Sequence, residues 1–404
     1  MAEDKKYSNT QNEEDADKIA ERGVDLELFV LLLLAQRINQ IGKTKKGLTR
    51  AEMEEDLRKI AKQSHLFEIL TKADTNRLLE KVLGNAYKTA QIYYDYTGTK
   101  YVPLSQNKPL QSILTDLKTG VLEDRTFHTQ AFMLRNPQNR KELIPTEVSE
   151  AYNDIINEAA EQATNGIGDY ASAIRETTKT LIDGGMKTVE YDTESGQPYM
   201  QSTEAAVKRN VLDNVRAINQ ATQDEVGKQF GSDGKEITVH EYSAPDHEPI
   251  QGHQFTNEEF EKLQNHEDFE DYQGRKFSAI KRAIGMWNCR HFTYSIILGL
   301  NKPNFTDEEL EENKKRNEKG YTDKKGKHRT MYECTQEQRR LEREIRRAKM
   351  GVMVAKESGD IELARGYQMD VDKYVQQYKE FSEACGLSIK GDNIYVAGYK
   401  RIKI

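Results

Sequence analysis

Apolar residues recur at steps of three and four through most of the chain, the spacing that predicts amphipathic helices. Between Ala16 and Leu117 the recurrence runs through Leu57, Ile60 and Ala61 and then Leu78, Leu79, Val82, Leu83 and Ala86, predicting a helical N-terminal unit. Inside it, Leu26 to Ala35 is almost wholly apolar, yet Glu27 interrupts it. The run is about half the length of a membrane span, so a buried helix or an oligomer contact is expected, with no membrane insertion. Tyr87, Tyr93, Tyr94, Tyr96 and Tyr101 follow as an aromatic cluster. With few basic residues between them they read as a packing face rather than a base-stacking platform.

The recurrence fades from Thr119 to Pro145, where a linker is expected. Helices resume over Ala151 to Ala163 and Tyr170 to Ile182, stopped by Gly166 and Gly168 and by Gly184 and Gly185. After a turn-rich stretch, Tyr191 to Tyr199, a longer helix spans Ser202 to Phe230 on a stripe that includes Val207, Val211, Val215 and Ile218. Ile237 to Tyr242 alternates as a strand does. Charge dominates Asp307 to Arg329, which reads as a mobile loop. From Thr335 to Gly386 two helices meet across Ser358 and Gly359 as an antiparallel hairpin, and Leu387 to Ile404 reads as a strand pair around Gly391 and Asp392. The expected fold is mostly α with a small α+β domain. Its parts are a disordered tail (1–17), a helical unit (18–145), an α+β core (146–304), a charged loop (305–334) and a C-terminal hairpin with strands (335–404).

Composition narrows the function classes. Of 404 residues 36% are hydrophobic and 31% charged, and the net charge is -7. That balance argues against a surface that tracks phosphate throughout, because counterion displacement needs an excess of Lys and Arg. The basic run Arg339, Arg340, Arg343, Arg346, Arg347 and Lys349 is interspersed with Glu337, Glu342 and Glu344. Pairing along the helix, Glu342 with Arg346 for one, is favoured over contact with DNA. Three widely spaced cysteines, Cys289, Cys334 and Cys385, and an acidic, polar N-terminus fit synthesis in a reducing cytoplasm without export.

Five of the eight histidines, His240, His247, His253, His266 and His291, fall close together in sequence, with Cys289 among them. Imidazole and thiolate are the ligands zinc prefers, and His247, His253, Cys289 and His291 would supply a tetrahedral set. The competing reading makes the same histidines hydrogen-bonded core residues and Cys289 a small buried hydrophobe. A thiolate nucleophile or metal-assisted nucleic-acid hydrolysis would need a base and an oxyanion site, and nothing outside this segment supplies either, so no catalytic residue is assigned.

Several motifs in order, YASAIRETTKTLIDGG, AAVKRNVLDNVRAINQAT, SAPDH with QGHQF, NCRHF, YECTQEQRRLEREIRRAKM and FSEACGL, resemble the phage minor capsid protein 2 family from about residue 150 to the C-terminus. The positions matching the family's motifs are Ser243, His247, Gln251, Gly252, Asn288, Cys289, Arg290 and His291. The stretch from Ser243 to His247 is shorter than the family's usual one, and His240 is the residue that would replace a missing ligand. The resemblance implies a structural head protein of a tailed phage, acting in procapsid assembly at or near the portal. Portal protein and major capsid protein would be its partners, with packaged DNA a further contact. It would be made in the host cytoplasm and end in the virion. The alternative is a metal-dependent nuclease or toxin-like effector carried in the head. Physically, the Arg290 fork and the Gln251 and Asn288 amides would tie residues 243–255 to residues 287–292 as a clasp.

Overall fold

The computed structural model describes residues 10–120, 130–136, 138–139, 142–165, 170–191, 198–285 and 289–403, with the side chains of residues 10, 89–97, 135, 164–165, 170–174, 190–191 and 198 left aside. In chain order the helices and larger strands are α1 (Thr10–Thr44), α2 (Arg50–Thr97), α3 (Lys108–Gly120), β1 (Gln130–Arg135), β2 (Leu143–Glu147), α4 (Val148–Asn165), α5 (Tyr170–Gly184), β3 (Met186–Tyr191), β4 (Pro198–Ser202) and α6 (Thr203–Phe230). After these come β5 (Gly234–Ile237), β6 (Gln254–Thr256), α7 (Asn257–Gln264), β7 (Phe269–Glu270), β8 (Lys276–Phe277), β9 (Thr293–Ile296), α8 (Asp307–Lys319), β10 (Tyr321–Thr322), β11 (His328–Arg329), α9 (Met331–Glu357) and α10 (Ile361–Cys385). The fold is mostly α with small antiparallel sheets, as the periodicity predicts.

These elements form two compact units, each drawn from three stretches of chain. One comprises residues 1–19, 72–123 and 208–334, the other residues 20–71, 124–207 and 335–404.

In the second unit the apolar run Leu26 to Ala35 lies inside α1, and Leu26, Leu28, Val30, Leu31, Leu33, Leu34 and Ala35 are buried. No helix among the described residues is long and apolar enough to cross a membrane. Asp56 of α2 is wholly buried and accepts two bonds from the Arg37 guanidinium, at 2.5 and 2.9 Å, and one from Tyr152 Oη at 2.7 Å. A buried charge survives only when paired this fully. The four-stranded sheet runs β2-β1-β3-β4, all antiparallel. Part of the expected linker is therefore hairpin: β1 pairs with β2, and Pro145, which has no N–H to donate, sits on the edge strand.

The hairpin of α9 and α10 closes over Leu341, Ile345 and Tyr378, and Gly359 takes the left-handed turn conformation between the helices. Two expectations change here. Among the described residues 387–403 there is no strand pair. Two of their backbone N–H groups bond side chains, Lys390 N–H to Tyr378 Oη and Ile402 N–H to Gln368 Oε1, and a 3-10 turn forms at Asp392–Ile394. Arg346 does not pair along its own helix with Glu342. It grips the Glu204 carboxylate at 2.5 and 2.8 Å, while Glu342 accepts from Tyr378 Oη and Asn393 Nδ2. Arg347 donates to the Ile182 and Asp183 carbonyls and Lys349 to the Ile394 carbonyl.

In the first unit, residues 10–17 belong to α1, not to a disordered tail. Ala16 and Asn12 are buried, and Glu13, Asp15 and Asp17 pair with Arg290, Lys81 and Lys208. Residues 1–9 lie outside the described part. Tyr87 is buried and its ring meets that of Tyr101 at 5.7 Å, a packing contact, while the side chains of Tyr93, Tyr94 and Tyr96 lie outside the described part. The stretch read as a charged loop contains α8, begun by a full capping box in which Thr306 and Glu309 satisfy each other's backbone N–H groups, followed by the β10-β11 hairpin.

Candidate functional site

The His/Cys segment is built on the three-stranded sheet β6-β5-β9. The strand in this region is Gly234–Ile237, earlier than the alternation at 237–242 predicts. Beyond Ile237 the chain leaves the sheet and returns at Gln254. The excursion is pinched at its base by bonds from Gly252 N–H to Ile237 O and from Ile237 N–H to the carbonyl of His253. Gly252 is required there: its φ is +75°, and a Cβ would lie 2.5 Å from Leu310 Cδ2 and 2.8 Å from Val239 Cγ2. Below lies a core of Ile237, Ile250, Phe255, Phe260, Leu263, Phe277, Ile280, Ile284 and Cys289.

Within the excursion, residues 244–251 wind helically, with Glu248 N–H bonded to Ala244 O and Gln251 N–H to His247 O. His247 and Gln251, four apart, thus share one face. Opposite them Cys289 and His291 lie in the irregular segment just before β9, where His291 N–H bonds back to the Cys289 sulfur at 3.4 Å. His247 Nδ1 and His291 Nδ1 are 3.3 Å apart, and Cys289 Sγ is 3.4 Å from each. All three residues are buried. His291 Nε2 reaches Gln251 Oε1 at 3.3 Å and Ser243 Oγ at 3.5 Å, and the His240 ring lies against that of His291, tilted by 39° with centroids 4.4 Å apart.

Not every motif residue joins this cluster. Arg290 turns away and pairs with Glu13 at 3.1 Å. Asn288 lies outside the described residues. His253, expected as the fourth zinc ligand, is not in the group: its Nδ1 accepts from Arg275 Nη1 at 2.8 Å, and a lone pair occupied by a guanidinium cannot bind a cation. Cys334 and Cys385 are buried elsewhere and form no disulfide.

Electrostatics differ across the cluster. Burial opposes charge at His247 and Cys289 alike, yet each stabilises the other's ionised form, so the imidazole is raised and the thiol lowered. His291 is pushed well below its ordinary value by burial and by the histidines and arginines around it. Asp246 holds Arg282 through a two-bond fork at 3.2 and 2.9 Å, which keeps the carboxyl low despite its burial.

Supporting residues come from α8, which charge density alone concealed. Asn317 Nδ2 donates to Ser243 O at 3.1 Å and its Oδ1 accepts from Tyr332 N–H at 2.9 Å, while Asn313 Nδ2 reaches His240 O at 3.5 Å. The Thr306-x-x-Glu309 capping signature was the signal that could have found them.

Compared with known families, the chain matches the one described as Phage minor capsid protein 2 over residues 44–383, most of its length. The chain belongs to the phage minor capsid protein 2 family. The match extends well N-terminal of residue 150, where the sequence resemblance began, and takes in α2, α3 and the four-stranded sheet. No curated protein and no solved structure matches the chain. Membership in a minor capsid protein family gives it a structural role in a phage particle, alongside other components of the head.

Proposed function

We propose that this minor capsid protein is a low-copy component of a tailed-phage head, taken up in the host cytoplasm during procapsid assembly at or near the portal. Its contacts with portal protein and major capsid protein run through outward helical faces. The observation that carries this reading is the direction of the family-matching side chains. Ser243, His247, Gln251, Cys289 and His291 are buried and engage one another. A motif turned inward maintains a fold and leaves partner recognition to the exterior. The basic residues Arg346, Arg347 and Lys349 are likewise engaged with the protein's own carboxylate and carbonyls, which leaves the DNA contact with little support on α9.

Purified heads separated on a density gradient test the proposal. The protein should co-migrate with them at a copy number far below that of the major capsid protein, and the purified protein should leave plasmid DNA intact. Recovery only as free protein would overturn it. So would plasmid cleavage that needs added divalent metal and disappears in His291→Ala, the outcome expected of a nuclease carried in the head.

A further inference from the structure

Two imidazole nitrogens and a sulfur form a triangle with edges of 3.3, 3.4 and 3.4 Å at the junction of the 238–253 excursion and the segment before β9. The protons around it can be placed from the partners. His247 Nε2 lies 2.9 Å from Arg282 O, a carbonyl that can only accept, so Nε2 carries the hydrogen and Nδ1 presents a lone pair. Gln251 is oriented at both ends: its Oε1 accepts from His240 N–H at 3.2 Å and its Nε2 donates to Glu248 Oε1 at 3.2 Å. The oxygen therefore faces His291 Nε2, which carries its hydrogen, and His291 Nδ1 is the second lone pair. The Cys289 sulfur accepts from the backbone N–H groups of His291, at 3.4 Å, and Gly285. Three electron-rich atoms converge out of water, with at most a thiol proton to share among them.

We propose that His247 Nδ1, Cys289 Sγ and His291 Nδ1 bind a zinc ion, which fastens the 238–253 excursion to the segment before β9. A tetrahedral zinc with N at about 2.05 Å and S at about 2.3 Å needs N–N edges of about 3.3 Å and N–S edges of about 3.6 Å, close to the triangle present. Each ligating imidazole donates its far N–H, one to a backbone carbonyl and one to an amide oxygen, the outer contacts that fix tautomer and ring orientation at metal sites. Mixed imidazole and thiolate donors select zinc over calcium or magnesium, which take oxygen. Among the described residues no fourth His, Cys, Asp or Glu joins the group, so the fourth position goes to water.

The experiment uses the full-length protein without a His tag. Elemental analysis should find close to one zinc per chain, and protein stripped with a chelator should take up Co²⁺ with visible bands of a tetrahedral ion and a near-ultraviolet thiolate charge-transfer band. Cys289→Ser should lose the charge-transfer band and the bound zinc, and His253→Gln should keep both. Wild-type protein that carries no zinc and, stripped or fresh, takes up no Co²⁺ overturns the proposal, as does zinc retained in Cys289→Ser. The wild-type measurements decide the matter should Cys289→Ser not fold. None of these readouts depends on incorporation into heads, so the site and the assembly role fail independently.

Discussion

At His253 the imidazole stands edge-on to Phe255 and Phe277 and accepts from Arg275, so it is held neutral in the fold. Burial first, and the Arg275 charge second, push it down to about 4. In the unfolded chain a histidine titrates near 6.5, so between these values the unfolded state binds the extra proton. Its contribution to stability is therefore complete above pH ~6.5 and is lost as the pH falls toward 4, at up to about 1.4 kcal/mol per pH unit. An NMR titration should give His253 a midpoint near 4, and a midpoint near 6.5 would show that the ring is solvated. Gly252 makes the complementary point about shape. Gly252→Ala combines a left-handed φ with contacts inside van der Waals distance of Leu310 and Val239, so a loss of roughly 1–3 kcal/mol is expected in denaturant unfolding. An unchanged midpoint would mean that α8 can shift without cost.

Helices were legible wherever an apolar stripe marks them. α4, α5, α6 and the α9-α10 pair fall within a few residues of their predicted ranges because one face of each is packed. α8 was hidden because its buried positions are asparagines, Asn313 and Asn317, which no hydrophobic period reveals. β1 and β2 were hidden for a different reason: strand pairing depends on partners far along the chain, and Pro145 reads locally as a breaker. At the site, clustering along the sequence singled out His247, Cys289 and His291, but nothing in the spacing tells His253 from them, since Arg275 arrives from another turn. The importance of α8 can be measured. Thr306→Ala should cost about 1 kcal/mol by removing the cap. Asn317→Ala should cost roughly 1–3 kcal/mol, because the Ser243 carbonyl and the Tyr332 N–H each lose a buried partner. Two surface-like values, near zero, would mean that α8 is dispensable to the clasp.

At the scale of the whole molecule, the chain order of the elements and their assembly part company. The linear reading placed boundaries near residues 145 and 305, yet each compact unit gathers three separate stretches. A fragment of residues 146–404 would retain the hairpin and every family motif recognised in the sequence, and on the linear reading it should fold. The structure argues otherwise. Such a fragment loses β1, leaving one edge of β3 without its ladder, and it loses Asp56, the carboxylate that takes the buried Tyr152 hydroxyl. It also loses Glu13 and Asp17, the partners of Arg290 and Lys208. It lacks the buried apolar residues of α1 and α2 as well, and any apolar surface left uncovered costs about 25 cal/mol for each Å² exposed. Far-UV circular dichroism with thermal melting should therefore show the full chain unfolding cooperatively and the 146–404 fragment keeping helix without a cooperative transition, with exposed apolar surface reported by dye binding. A sharp melt of the fragment at the full chain's temperature would restore the sequential domains and demote the interleaved contacts to decoration.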